Sequence, residues 1–125
     1  MSNIADLHMH STKSDGQSEP SEVISAAKEV GLDFIALTDH DTYHRFGSPV
    51  VERQGIKVIS GMELRVEPSS MDERVDLLAY GVTTTDQLES LVEQVRTNRK
   101  VRAQEMIDRI EEKTGCILEY EPNVS

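Results

Sequence analysis

Apolar and polar residues alternate over 3–9 (N-I-A-D-L-H-M), which predicts a short strand whose i and i+2 side chains share a face. Residues 11–19 (S-T-K-S-D-G-Q-S-E) are small and polar, with Gly16 at a turn, and read as loop. Residues 21–30 place apolar side chains at 23, 24, 26, 27 and 30, one face of a helix. Pro20 suits its first position and Gly31 its stop. The uninterrupted run 34–38 (F-I-A-L-T) suits a strand buried on both sides. Strand, loop, helix and strand within forty residues predict an α/β fold with a right-handed crossover.

The pattern weakens after this. A weak helix is expected over 46–54, and a third strand over 56–60 (I-K-V-I-S). Strand character extends over 63–67, Pro68-Ser69-Ser70 reads as a turn, and 74–80 (R-V-D-L-L-A-Y) is a fourth strand. One of Thr83, Thr84 or Thr85 then caps a long helix over 85–113, apolar at 88, 91, 92, 95, 103, 106, 107 and 110. Gly115 ends it, and a short strand over 116–120 precedes a polar tail. The expectation is one α/β domain over 1–125, with four to five mostly parallel strands and a long C-terminal helix.

Length and charge narrow the function. At 125 residues the chain is short for an α/β barrel of about 250. A net charge of −10 excludes a broad basic nucleic-acid surface. It does not exclude phosphate chemistry carried by bound cations, which invert the local field. Cys116 is the single cysteine, so no disulfide forms within the chain, and the cytoplasm is the expected compartment. The N-terminus has no basic-then-apolar signal pattern, and no apolar run approaches the roughly 18 residues of a membrane helix. Without Trp, and with three Tyr and two Phe, the core must be aliphatic.

Chemistry gathers where the predicted strands end. Asp6, His8 and His10 share one face of the first strand, and Asp15 follows in a Ser-Asp-Gly turn. Asp39, His40 and Asp41 follow the second strand, Glu63 the third, and Asp76 lies on the fourth. Functional groups of parallel α/β folds sit at such carboxyl ends. Imidazoles mixed with carboxylates favour Zn, Mn or Fe over Ca or Mg. A glutamate can bridge two ions, and two ions about 3.5–4 Å apart can activate a nucleophile and neutralise a phosphate together.

Each residue also has a plainer reading. His8 and His10 could lie on an exposed edge, Asp15 could close its own turn, and Glu63 could be an ordinary surface residue. Asp39 and Asp41 read as supports for the ligating groups rather than ligands. Asp76 is polar-out by alternation, and His44 reads as a surface residue. Arg96, Arg99, Arg102 and Arg109 read as a charged helix face, and Cys116 as a buried small hydrophobe.

D-L-H-M-H with S-D-G, then T-D-H-D-T, then G-M-E, together resemble the polymerase-and-histidinol-phosphatase (PHP) family. The similarity is greatest to bacterial phosphoesterases that hydrolyse nucleoside 3′,5′-bisphosphates or trim short RNA 5′ ends, and it runs the length of the chain. The resemblance implies a distorted (β/α)7 barrel, up to three divalent metals, and phosphomonoester hydrolysis by a metal-bound hydroxide. His8, His10, Asp15, His40 and Glu63 match the family's ligand positions, with Glu63 bridging, and helix 85–113 resembles its helical insertion. Two departures stand out. Asp76 occupies a position where relatives carry histidine, and as an aspartate it can still serve as a metal ligand; the family's C-terminal histidine motifs are absent, since no histidine follows His44.

The chain thus resembles the N-terminal half of the barrel, a partial (β/α)7 fold. An open sheet edge and an uncovered apolar face predict a homo-oligomer. Two functions follow. One is a metal-dependent phosphoesterase acting on a small phosphorylated substrate, a nucleotide or a short RNA end. The other is a catalytically silent metal-binding module, or one that needs a partner copy to complete its site. No membrane partner is expected.

Overall fold

The computed structural model describes residues 3–70 and 72–119. The chain divides into two compact units, one ending at Thr85 and the other beginning at Asp86. The first holds β1 (Ala5–Met9), α1 (Pro20–Glu29), β2 (Phe34–Leu37), β3 (Val50–Arg53), β4 (Ile56–Val66) and β5 (Val75–Tyr80). The second holds α2 (Asp86–Thr114).

The expected α/β fold is present, with five strands and a long C-terminal helix. β1, β2 and β4 run parallel in that order, which α1 makes possible as the crossover from β1 to β2. α1 starts in a capping box, where Glu19 accepts from the N3 backbone and the Glu22 side chain answers the Glu19 N–H. It ends at Gly31, whose φ of +86° few other residues adopt readily. Ile24 and Ala27 of its inner face pack with Ile35, Leu37, Ile56 and Val58 in an aliphatic core. Ile35, Ala36 and Leu37 are fully buried, as the apolar run required.

Three local expectations change. The stretch expected as a weak helix over 46–54 contains β3, which pairs antiparallel with β4. Arg53 opposes Ile56, so the loop is the dipeptide Gln54-Gly55, with φ of 53° and 81°. Two successive positive φ values make the type I′ turn that matches strand twist. Second, the two strand segments expected over 56–60 and 63–67 merge into one continuous strand, β4, which ends at Val66 and whose outer half pairs antiparallel with β5. Third, the described part of the expected last strand, 116–119, is irregular, and Cys116 is exposed rather than buried; residue 120 and the tail lie outside the described residues. Within the second unit, the Leu118 N–H donates to Glu111. Neither helix is long and apolar enough to cross a membrane.

β4 keeps its path because of Gly61. A Cβ there would sit 2.8 Å from Thr38 Cγ2, 3.0 Å from the Ala79 carbonyl oxygen and 3.1 Å from that of Leu37. Two of those neighbours are backbone and cannot rotate away. Gly61→Ala should therefore lower stability by about 1–3 kcal/mol. A fall in the urea midpoint at constant m-value would show it; an unchanged midpoint would refute the steric account.

Candidate metal centre

Each candidate side chain is placed by backbone. The N–H and the hydroxyl of Thr38 both donate to the Met9 carbonyl, tying the end of β1 to the end of β2. The alternation of β1 then turns His8 and His10 to one face. Past His10 the chain folds tightly: Ser14 N and Gly16 N both donate to Ser11 O. Gly16 has no room for a side chain, because a Cβ would lie 2.7 Å from the His10 carbonyl oxygen. That closeness is what brings Asp15 back onto the His10 ring. After β2, His40 forms an isolated parallel bridge with Glu63 of β4. The Glu63 N–H donates to Asp39 O and the Asp41 N–H donates to Glu63 O, each at 3.0 Å. Asp41 adopts φ of +52° to make that turn.

The result is a cluster of five side chains. Glu63 Oε2 lies 2.9 Å from His10 Nε2, 3.2 Å from His8 Nε2 and 3.5 Å from His40 Nδ1. Asp15 faces the other side, with Oδ1 3.1 Å from His10 Nδ1 and Oδ2 3.3 Å from His40 Nε2. The Glu63 side chain is 8% exposed, whereas those of His8 and Asp15 are 49% and 68% exposed, so the cluster is buried at its base and open on one side.

Two ligand sets emerge: His8, His10 and Glu63, and His10, Asp15 and His40, each with donor atoms within 4.8 Å of one another. Bonds of about 2.0–2.2 Å to a central ion separate neighbouring ligand atoms by roughly 3–3.5 Å, and the histidine–carboxylate distances within the two sets, 2.9–3.3 Å, are close to that. Borderline divalent ions suit this mixture of nitrogen and oxygen donors. His10 belongs to both sets. A neutral imidazole offers one lone pair, so in that form it serves one ion at a time, and its other nitrogen donates a hydrogen bond.

Asp39 and His44 lie behind the cluster. Asp39 is fully buried and accepts four hydrogen bonds: from Ser11 N at 2.7 Å, Ser11 Oγ at 2.8 Å, Ser14 Oγ at 2.6 Å and His44 Nε2 at 2.7 Å. Burial pushes its pKa up, but the bonds from His44, Ser14 and Ser11 outweigh burial and hold it at about 2. The Asp39 carboxylate reaches the cluster through Ser14, whose Oγ is also 3.5 Å from His10 Nδ1. His44, expected at the surface, is buried instead, stacked on Phe46 with ring centroids 5.5 Å apart. No periodic signal marks it; the hint was a histidine five residues after a buried aspartate. Asp41 is buried beside Glu63.

Asp6 accepts from the His8 N–H and joins neither set. Asp76 joins neither set either. β5 runs antiparallel to β4, so Asp76 stands near the start of its strand, opposite Arg65. It accepts from Arg65 Nε at 2.9 Å and Nη2 at 3.4 Å.

Comparison with known proteins places this arrangement. The model of the PHP domain matches residues 6–122. The chain is 30% identical over 118 residues to a 5′-3′ exoribonuclease of Haemophilus influenzae, covering 93% of this chain and 42% of that protein. It is 34% identical over 109 residues to a 3′,5′-nucleoside bisphosphate phosphatase of Chromobacterium violaceum, covering 85% and 37%. A solved structure from Bifidobacterium adolescentis superposes with a TM-score of 0.72 at 24% identity, over 90% of this chain and 40% of that one, and shows the shared fold. The chain thus spans about two-fifths of the length of these relatives.

The Asp39 network sets a testable pH dependence. Its folded pKa lies below the ordinary 3.8, so its stabilisation is complete above about pH 4 and is lost as pH falls toward about 2. Asp39→Asn should cost about 2–3 kcal/mol at neutral pH. In urea titrations the gap between wild type and variant should close between pH 4 and pH 2. A gap independent of pH would contradict the network.

Proposed function

Because the chain belongs to the PHP domain family, we propose that it is a metal-dependent phosphoesterase acting on phosphomonoesters. The observation that carries this reading is the single Glu63 oxygen facing three imidazole nitrogens at 2.9–3.5 Å, with Asp15 closing the far side. His8, His10 and Glu63 would hold one divalent ion, and Asp15 and His40, with or without His10, a second. Zn, Mn and Fe are the candidates, and Glu63 is the candidate bridge. Bound there, such ions supply a water acidified for attack and positive charge for the phosphate oxygens.

The chain's own residues do the rest. The Glu63 backbone is fixed by its bonds to Asp39 and Asp41, which sets where the side chain leaves the strand. Asp39 braces the Ser11–Ser14 turn that carries Asp15, and Asp41 anchors the backbone beside Glu63. With a net charge of −10, the chain has little long-range attraction for a phosphate, so positive charge must be local to the cluster. The names of the two relatives support a nucleotide or a short RNA end as substrate. The cytoplasm is the proposed compartment, and α2 the counterpart of the family's helical insertion.

A second copy of the chain is the proposed partner. β1 ends the strand order, and Ile4, Leu7, Leu77 and Tyr80 are exposed apolar groups. Light scattering at tens of micromolar should give at least a dimer mass; a monodisperse monomer rejects this partner.

Metal analysis after dialysis, with a phosphatase assay in Mn²⁺, tests the function. Wild type should retain metal and turn over. His8→Ala and Glu63→Ala should each lower both metal content and turnover, the latter by at least about 100-fold. Turnover that survives His8→Ala refutes the assignment. Retained metal without turnover in the wild type identifies the chain as a metal-binding module instead.

A further inference from the structure

Arg65 occupies a position that the metal centre leaves without a task. It stands two residues after Glu63 on β4, so both side chains leave the same face of the strand, about 7 Å apart along it. Asp76 is its direct cross-strand neighbour, on that same face. Its carboxylate takes the Nε and Nη2 edge of the guanidinium, at 2.9 and 3.4 Å. An arginine presents five N–H donors, so the Nη1 edge is left over, and among the described residues it makes no hydrogen bond. The Arg65 side chain is 57% exposed, so that edge is open to a ligand.

The strand register sets this guanidinium beside the cluster. Glu63 opposes Leu78 and Arg65 opposes Asp76 in the same β4–β5 ladder, so the ion pair follows the buried glutamate by two residues on one face of the sheet. As a structural element it is worth little, since exposed cross-strand ion pairs contribute under about 1 kcal/mol. As a recognition element it is well formed: a planar fork held on one edge by a carboxylate and exposed on the other.

We propose that Arg65, held in place by Asp76, is the specificity-determining anion anchor of this site. It binds a second anionic group of the substrate, adjacent to the phosphate that the Glu63 cluster engages. Arg65 touches the substrate; Asp76 is a positioning residue that acts through it. The proposal rests on the phosphoesterase reading of the cluster, and what it adds is the residue: Arg65 is the group that would favour a phosphomonoester carrying another phosphate.

The test compares adenosine 3′,5′-bisphosphate with adenosine 3′-phosphate, using the Mn²⁺-loaded full chain. Arg65→Ala should raise KM for the bisphosphate by about 10- to 100-fold, the loss of one charge-assisted contact, with kcat changed by less than about threefold. KM for the monophosphate should stay within about twofold. Arg65→Lys should restore part of the loss, and Asp76→Asn should give a smaller rise confined to the bisphosphate. An Arg65→Ala variant that affects both substrates equally, or neither, overturns the proposal.

Calorimetric titration separates this from failure of the function. If wild type turns over neither substrate, the phosphoesterase reading falls. The anchor is then judged by affinity alone. Bisphosphate binding should be at least about tenfold weaker in Arg65→Ala than in wild type, and equal affinities overturn it.

Discussion

A buried carboxylate needs polar partners where it stands, and Glu63 is the buried carboxylate at the centre of the cluster. Its side chain is almost wholly enclosed, and taking such a charge out of water costs several kcal/mol without compensation. The imidazoles of His8, His10 and His40 converge on one of its oxygens. Much of the surrounding fold serves to bring these groups together. β4 must pass through Gly61 without a side chain, and the ends of β1 and β2 must be tied at Met9 and Thr38. Three imidazole nitrogens within 3.5 Å of one carboxylate oxygen is also the arrangement a divalent cation would organise.

A second layer keeps the first from drifting. Asp39 is the centre of a polar network in which each bond has a structural consequence. Ser11 and Ser14 shape the turn that carries Asp15, and His44 joins the turn to the segment after β2. Such a network stabilises only when its members are satisfied, and no described buried side-chain polar atom lacks a partner. The ligand-bearing loops are thereby held rigid although they are irregular, and rigidity is what a coordination site requires.

The strands that carry the centre could be read from the chain because their signals are local. Alternation through Asp6, His8 and His10 gives a shared face directly, and the apolar run 34–38 gives a doubly covered strand. What escaped depended on pairing. Val50–Arg53 is too short to show a period, and Gln54-Gly55 is a weaker hairpin signal than Asn-Gly. The antiparallel return of β5 placed Asp76 opposite Arg65 and outside both ligand sets, which no spacing along the sequence reveals. His44 escaped because its burial comes from Asp39 and Phe46, two contacts without periodicity. Cys116 is exposed because it follows α2 in an irregular segment, where the average burial of cysteine says little.

The central claim is that the Glu63 cluster is a cation site rather than a set of histidine–carboxylate ion pairs. Anomalous diffraction at the Mn or Zn edge, from crystals grown with that metal, decides between them. The account predicts a peak about 2.0–2.2 Å from Glu63 Oε2 and from the Nε2 atoms of His8 and His10. Crystals with no peak there, and with Glu63 still bonded directly to the imidazoles, would contradict it.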